Sequence, residues 1–404
     1  MKMVEGGVCA AKGFTAGGIH CGIRKSRTKR DLALIVSCIP ASAAAVYTTN
    51  LVRSAPIEVT KANLADGKAQ AVIVNSGIAN TCCADGIDVA EEMCVLTAKT
   101  LGISEKDVIV ASTGVIGQSL PIEPIAKGME SLKASLSTNG GDDACEAIMT
   151  TDTVKKQIAV EFSVGGKICT IGGMAKGSGM IHPNMATMLV FLTTDAAISS
   201  ELLQDALRTD IASTFNMTSI DGDTSTNDMV SILANGMAGN PCITEKNEDY
   251  SVFMEALNSV TVWLCRQIAA DGEGATKLLE CVVDGAKDEK TAKTVAKSVI
   301  CSSLVKAAMF GADANWGRVL CAIGYSGANV DVKKVSVQFR SQAGLITVCE
   351  NGAGILFSEE KAKEILLEKE IEILVGLHDG TATAKAWGCD LTYDYVKING
   401  DYRT

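Results

Sequence analysis

The sequence predicts an α/β protein whose sheets are covered by helices, and two patterns indicate this class. Short apolar runs rich in β-branched residues alternate with polar breaks between residues 7 and 75, which is typical of strands. Later segments repeat apolar residues at helical spacing, as at positions 202, 203, 206, 207 and 211. A chain of 404 residues is long enough to form two or three domain-sized units with sizeable cores.

Each predicted element follows from one of these two periodicities. The predicted strands of the first part of the chain span 32–37, 44–47, 57–60, 71–75 and 107–111, and a hairpin follows over 154–171. The predicted helices span 88–101, 123–136, 199–216, 250–270 and 289–309. Asp88 and Glu91 form a predicted capping box at the first of these helices.

The C-terminal part of the chain, about 330–404, is predicted as a smaller α/β unit because strands and one helix alternate there. The strands span 335–340, 345–349, 371–377, 383–387 and 393–398, and the helix spans 358–368.

Charge and hydropathy exclude several classes of protein. A net charge of −10 and a pI near 5.0 argue against nucleic acid or an anionic membrane as partner, since no basic stripe can neutralise phosphates. The longest apolar stretch, 32–47, is interrupted by polar residues and is too short to span a bilayer. The first residues lack the apolar core of a signal peptide, so the cytoplasm is the expected location.

The cysteines and histidines favour neither a disulfide framework nor a metal site. Fifteen cysteines are present, an odd number, and no Cys-x-x-Cys spacing occurs. Most of them lie in apolar segments, where a reduced cysteine behaves as a small hydrophobic residue. With only three histidines, a histidine-based zinc site is not expected.

The junction between Ala186 and Thr187 is the main candidate for chemistry. A glycine-rich loop ends there and the apolar run 188–192, a predicted buried strand, begins. Thr187 has the setting that a self-cleaving N-terminal-nucleophile enzyme requires, since its hydroxyl could attack the Ala186 carbonyl. The released α-amine, with an ordinary pKa of about 7.7 to 8.0, could then act as base for the hydroxyl of the same residue.

Thr187 also has a simpler interpretation. Threonine is common at the start of strands because of its β propensity, and on spacing alone this structural role is the better interpretation.

The segment 176–189, Lys-Gly-Ser-Gly-Met-Ile-His-Pro-Asn-Met-Ala-Thr-Met-Leu, resembles the processing site of the ornithine acetyltransferase family. This family comprises the bifunctional glutamate N-acetyltransferases of arginine biosynthesis, and the similarity recurs along nearly the whole chain. The resemblance implies a self-processing, N-terminal-nucleophile-like sandwich of sheets and helices. It also implies cleavage between Ala186 and Thr187 into an α chain, 1–186, and a β chain, 187–404.

The resemblance also assigns roles to single residues. Thr113 and Gly114 would form the oxyanion hole beside the nucleophile Thr187. The residues that would bind substrate are Thr150, Lys176, Thr187, Glu273, Asn399 and Thr404. From the residues alone, Thr113-Gly114 is an ordinary turn, Lys176 is solvated and Glu273 is exposed between two glycines.

The loop 219–228 and His182 are two further polar features that could be taken for functional sites. The loop 219–228 is rich in acidic and hydroxyl side chains, but its glycine and acidic residues are not spaced for calcium, so it is predicted to be structural or to line the site. His182 is not required as a base, because a mature Thr187 would carry its own amine.

The implied reaction is a ping-pong transfer of the acetyl group from N-acetylornithine to glutamate through acetyl-Thr187. No cofactor is expected, although acetyl-CoA is a possible second donor. Two α and two β chains would form a heterotetramer. A self-processing aminopeptidase or amidase stays open as an alternative, and a non-enzymatic binding protein of the same fold would keep an intact chain.

Overall fold

The computed structural model describes residues 1–26, 28–182 and 188–400, which form sixteen strands and eleven α-helices. The strands are β1 (Lys2–Val4), β2 (Phe14–Ile19), β3 (Leu32–Tyr47), β4 (Lys68–Ile78), β5 (Val108–Val115), β6 (Lys156–Val164), β7 (Lys167–Lys176), β8 (Leu189–Thr194), β9 (Thr218–Ser219), β10 (Met229–Ala234), β11 (Leu278–Ala286), β12 (Ser336–Ser341), β13 (Gly344–Glu350), β14 (Ala353–Gly354), β15 (Glu370–Gly376) and β16 (Ala382–Cys389). The helices are α1 (Ala55–Asn63), α2 (Gly86–Leu101), α3 (Ile122–Ser135), α4 (Gly141–Ile148), α5 (Ser200–Ile211), α6 (Glu248–Ala270), α7 (Glu289–Cys301), α8 (Ser303–Phe310), α9 (Trp316–Gly324), α10 (Glu359–Leu366) and α11 (Tyr393–Asn399).

The strands form two sheets. Within the described ranges the first sheet has nine strands in the order β1-β6-β7-β8-β10-β3-β4-β5, with β2 also paired to β3. The second has seven strands in the order β14-β13-β12-β15-β11-β16-β9. Strands β12 to β16 therefore share a sheet with β9 and β11 from earlier in the chain. Strand β8, which follows the predicted cleavage site, is an inner strand between β7 and β10.

Helix α6 lies between the two sheets. On one side, a β-carbon added to Gly173 of β7 would lie 3.2 Å from side-chain carbons of Val260 and Leu264. On the other side, Arg266 of α6 forms ion pairs with Glu280 of β11 and Glu370 of β15. The prediction of an α/β fold with helix-covered sheets is confirmed.

Three predicted elements are wrong in type or boundary. Residues 57–60 belong to helix α1 instead of a strand; Pro56 occupies its first turn, and the Thr60 hydroxyl donates to the Val110 carbonyl of β5 at 2.8 Å. Helix α2 begins at Gly86 with Asp85 at the N-cap position, so Asp88 lies in the first turn and is no cap. The β-branched residues of 57–60 suggested a strand because their tertiary contacts were not visible in the sequence.

The third error concerns 393–398, a predicted strand that forms helix α11. Its alternation of large apolar and polar residues suggested a strand, yet Tyr393 and Val396 are mostly exposed. The local signal for a helix is Thr392, whose hydroxyl accepts a hydrogen bond from the Tyr395 N–H as an N-cap.

The structure also tests the predicted hairpin, the helical region 289–309 and the state of the cysteines. The 154–171 hairpin is confirmed as β6 and β7, and 289–309 forms α7 and α8, with Ser302 capping the second helix. All fifteen cysteines lie in the described part of the chain and are free thiols. Among the described residues, no helix combines the length and apolarity needed to cross a membrane.

A buried ion triad connects three segments of the chain. Lys156, the fully buried first residue of β6, donates to the carboxylates of Asp152, at 2.7 Å, and Asp271. Burial raises the pKa of Asp152, but the charges of Lys156 and Lys176 outweigh burial and bring it down to about 2. Burial lowers the pKa of Lys156, and the two carboxylates outweigh burial, so its pKa is raised. Asp152 and Lys156 are therefore both ionised at neutral pH.

The triad also holds backbone groups in place. Asp152 accepts hydrogen bonds from the N–H groups of Thr150, at 3.1 Å, and Gly177, at 2.7 Å. Asp271 accepts from the N–H of Thr153 at 3.1 Å and from its hydroxyl. The segments 150–153, 176–178 and 271–273 are thus fixed relative to one another.

Replacing Lys156 by Met should cost about 3 to 5 kcal/mol of unfolding free energy, because two buried carboxylates would lose their cation. The matched control is Lys155→Met, which removes only the exposed ion pair to Asp142 and should cost less than about 1 kcal/mol. Urea unfolding at pH 7 measures both. Equal losses in the two variants would contradict the role of the triad.

The lowered pKa of Asp152 gives the same triad a pH dependence. Its ordinary value is 3.8 and its folded value is about 2, so its contribution to stability is complete above pH 3.8 and is lost as the pH falls towards 2.

Candidate active site

A cavity of about 270 Å³ brings together six of the residues singled out in the sequence: Thr113, Gly114, Thr150, Lys176, Glu273 and Asn399. The remaining lining residues come from the same turns and from the loop 219–228: Val115, Ile116, Thr151, Gly179, Met180, Ser225, Thr226 and Asn227. Three predicted positions, Ala186, Thr187 and Thr404, lie outside the described residues.

The predicted Thr113-Gly114 turn is part of strand β5, near its carboxyl end, where the pairing with the parallel strand β4 becomes irregular; this pair of residues is still called the Thr113-Gly114 turn below. Gly114 has a φ of 135°, a conformation that favours glycine. A β-carbon at this position would also overlap the carbonyl group of Gly77 in β4. Any other residue would disturb the turn, so the sequence requires glycine here for a backbone reason.

Lys176 is the last residue of β7 and is only 8% exposed, which contradicts the solvated alternative. Burial lowers the pKa of its ammonium group, against the attraction of Asp152. Among the described residues, no carboxylate lies within ion-pair distance of its Nζ, because Asp152 is held by Lys156. Lys176 therefore presents a cation to the cavity that the described side chains leave unpaired.

Asp228 lies next to the loop that lines the cavity and does not neutralise Lys176. Burial raises its pKa well above the ordinary value, against a hydrogen bond from Ser225 and the charge of Lys176. Its Oδ2 has no hydrogen-bond partner within the described ranges. Burial thus shifts Asp228 towards its neutral form.

Glu273 is also buried, at 8% exposure, so the exposed alternative is wrong. Its backbone N–H donates to the Ser178 carbonyl at 2.8 Å, and its Oε2 accepts from Asn399 Nδ2 at 2.7 Å. The carboxylate lies against the Cα of Gly179, where a β-carbon would overlap it. The glycine that packs against the Glu273 side chain is therefore Gly179, which is far from Glu273 in the sequence. This contact could not be predicted from the two glycines that flank Glu273 in the chain.

The C-terminal helix α11 is attached to the same site. The Thr392 hydroxyl donates to the Gly274 carbonyl at 2.7 Å, and Tyr395 donates to Asp221 at 3.3 Å. Asp221 also accepts from the N–H groups of Met180 and Ile181, at 2.6 and 2.8 Å. These bonds place Asn399 at the cavity.

Sequence reasoning missed part of the site. The pairing of Asp152 with Lys156 was not predicted, although a lysine at the start of an apolar strand was an available signal. The loop 219–228 was predicted to be structural or to line the site, and Ser225, Thr226 and Asn227 do line the cavity. Their individual contacts had no signal in the sequence.

His182 faces a neighbouring cavity instead. Its Nδ1 lies 3.1 Å from Ser219 Oγ and 3.5 Å from Cys301 Sγ. Burial lowers the pKa of its imidazole. In the part of the chain that the structure describes, no three His, Cys, Asp or Glu residues are grouped to hold a metal.

Comparisons with known proteins cover the whole chain. The sequence profile of the ArgJ family matches residues 15–404. The arginine biosynthesis bifunctional protein ArgJ of Caldanaerobacter subterraneus subsp. tengcongensis is 51% identical over 405 residues, which cover 100% of both chains. The protein of the same name from Bacillus subtilis is 50% identical, covering 99% of this chain and 97% of its own.

A solved structure agrees with these relatives. The crystal structure of the arginine biosynthesis bifunctional protein ArgJ from Bacillus halodurans is 47% identical, with a TM-score of 0.50. It covers 52% of this chain and 97% of the solved chain. From these matches, this chain belongs to the ArgJ family and is an acetyltransferase enzyme of arginine biosynthesis.

Proposed function

We propose that this protein cleaves itself between Ala186 and Thr187 and then uses Thr187 to carry an acetyl group from N-acetylornithine to glutamate. The observation that supports this most directly is the pair of buried charges on one cavity, Lys176 and Glu273, beside the Thr113-Gly114 turn. A cation and a carboxylate in one small cavity suit an amino-acid substrate, which carries both charges itself.

The charges define how the donor would bind. The α-carboxylate of N-acetylornithine pairs with Lys176, and its side-chain ammonium group pairs with Glu273, which Asn399 already orients. Thr150 adds a hydroxyl at the same cavity, and Thr404 is proposed to complete the binding set. In a water-poor site each pair is stronger than on the surface, and an uncharged analogue would leave a buried charge unpaired.

Self-cleavage begins when the Thr187 hydroxyl attacks the carbonyl carbon of Ala186. The C–O bond forms, the C–N bond breaks and the Thr187 nitrogen takes the proton, which leaves an ester. Water then hydrolyses the ester and releases the carboxylate of Ala186. The products are fragments of 186 and 218 residues (404 − 186).

Two observations support this cleavage. Met188 is buried, its carbonyl accepts from the Met229 N–H at 2.9 Å, and β8 pairs on both sides, so a chain beginning at Thr187 would stay bound in the sheet. The solved relative aligns with only 52% of this chain, about 210 of 404 residues, over nearly its full length. That length is close to one proposed fragment.

Acetyl transfer repeats the same chemistry on the substrate. The α-amine of Thr187 takes the proton from its hydroxyl, Oγ attacks the acetyl carbonyl, and the Thr113-Gly114 turn stabilises the oxyanion. The amine of ornithine leaves with the proton, and acetyl-Thr187 remains. The amine of glutamate then attacks this ester, which gives N-acetylglutamate and restores Thr187.

This route needs no cofactor, because Thr187 itself carries the acetyl group. We further propose that acetyl-CoA enters at the acylation step as a second donor, that two α and two β chains assemble, and that the enzyme works in the cytoplasm.

Thr187→Ala should abolish both cleavage and transfer, since each needs the hydroxyl. Intact mass measurement of the purified protein should show two fragments for the wild type, the second beginning Thr187-Met188-Leu189, and one uncut chain for the variant. A variant that still transfers acetyl would exclude Thr187 as nucleophile. Acetate release without N-acetylglutamate in the presence of glutamate would instead indicate a hydrolase.

The KM for N-acetylornithine should rise on the alkaline side at a lower pH than an ordinary lysine would give. Burial lowers the pKa of Lys176 below its ordinary 10.5, so the cation that binds the carboxylate is lost earlier as the pH increases. Lys176→Arg keeps its charge, and its alkaline limb should move to higher pH. An identical limb in wild type and variant would exclude Lys176 as the carboxylate ligand.

A further inference from the structure

The side-chain amide of Asn227 makes four hydrogen bonds at the edge of the cavity. Asn227 lies in the loop before β10 and is 7% exposed. Its Nδ2 donates to the carbonyls of Ala79, at 2.6 Å, and Ser112, at 2.8 Å. Its Oδ1 accepts from the hydroxyls of Thr81, at 2.8 Å, and Thr226, at 2.6 Å. Every donor and acceptor position of the amide is therefore used.

These bonds fix the Thr113-Gly114 turn at both of its ends. The carbonyl of Ser112 belongs to the same planar peptide unit as the Thr113 N–H, so holding the carbonyl sets the direction of that N–H. At the other end, the Val115 carbonyl accepts from the Ala79 N–H at 2.9 Å. The carbonyl of that same Ala79 is bound by Asn227. The Asn227 amide therefore holds the backbone before the turn directly, through Ser112, and the backbone after it indirectly, through Ala79.

The amide can work in only one orientation. If its oxygen and nitrogen were exchanged, Oδ1 would face the two carbonyl oxygens of Ala79 and Ser112, and the amide could donate to neither of them. The hydroxyls of Thr81 and Thr226 hold the opposite side. The position of the Ser112–Thr113 peptide therefore depends on a side chain that is rigid and fully satisfied.

The same loop is bound to Met188, which follows the proposed nucleophile in sequence and precedes strand β8. Met229, two residues after Asn227, donates its N–H to the Met188 carbonyl at 2.9 Å, and β10 then runs parallel to β8. Met188 is bonded directly to Thr187. The segment 227–229 is thus a short connection between the oxyanion turn and the proposed nucleophile.

We propose that Asn227 is a positioning residue that holds the Thr113-Gly114 turn in place relative to strand β8, and that both self-cleavage and acetyl transfer depend on it. It acts through the backbone of Ser112 and Ala79, and its role rests on the function proposed above. Removing its two donated bonds lets the turn shift, while the substrate-binding charges of Lys176 and Glu273 stay in place. Loss of these two hydrogen bonds should therefore lower kcat and leave KM nearly unchanged.

The test is Asn227→Asp, which keeps the shape of the side chain but replaces the donating nitrogen by an oxygen. Displacement of a catalytic group by about 1 Å costs about 10²-fold, so kcat per cleaved molecule should fall about 10- to 100-fold with KM for N-acetylornithine nearly unchanged. The rate of self-cleavage, followed by intact mass, should fall as well.

The matched control is Asn240→Asp. Asn240 is similarly buried, at 6% exposure, and its Nδ2 donates to the carbonyls of Ala197 and Pro241 at 3.2 and 2.8 Å, away from the cavity. Both variants should lower the melting temperature. Only Asn227→Asp should lower kcat of the folded, cleaved enzyme.

Several outcomes would overturn the proposal: an unchanged kcat and cleavage rate in Asn227→Asp, an increase of KM alone, or an equal loss of kcat in Asn240→Asp. If Asn227→Asp does not fold, Thr81→Val removes one bond to Oδ1 and should lower kcat several-fold; an unchanged kcat there also overturns it. A wild-type enzyme that transfers no acetyl would instead disprove the proposed function, and the role of Asn227 with it.

Discussion

The buried triad of Lys156, Asp152 and Asp271 is the constraint on which the cavity depends. Its carboxylates use their remaining acceptor capacity on backbone N–H groups of the segments 150–153 and 176–178, and Asp271 itself belongs to the segment 271–273. Each of the three segments supplies a lining residue. Breaking the triad would leave charges in a medium that solvates them poorly, so the arrangement is retained as a unit. It is therefore both a source of stability and a positioning device.

The triad also explains why Lys176 is unusual. Asp152 is held by Lys156, burial shifts Asp228 towards its neutral form, and no described carboxylate forms an ion pair with the Lys176 ammonium group. A buried unpaired cation is costly unless a ligand supplies the missing charge, and a substrate carboxylate does so. Binding of a substrate carboxylate therefore offsets the free-energy cost of burying the Lys176 cation.

The Glu273 carboxylate, unlike Lys176, is held by a neutral hydrogen-bond donor. Glu273 has a hydrogen-bond donor in Asn399, which orients the carboxylate without neutralising it. A substrate ammonium group can therefore pair with it fully. The turn at Thr113-Gly114 completes the site through backbone groups, whose direction depends on neighbouring strands and on the amide of Asn227. In the proposed function, charged side chains select the substrate and backbone groups stabilise the transition state.

The sequence by itself determined the α/β class and most helices and strands, and its resemblance to a known family supplied the residues proposed for the site. Periodicity and turn chemistry act over a few positions, so they can be read locally. Tertiary structure alone decided that 57–60 and 393–398 are helical, that Lys176 and Glu273 are buried, and that Asn227 brackets the oxyanion turn. These properties depend on contacts between residues far apart in the chain, such as Asn227 with Ser112 and Glu273 with Gly179, and burial and pKa follow from such contacts.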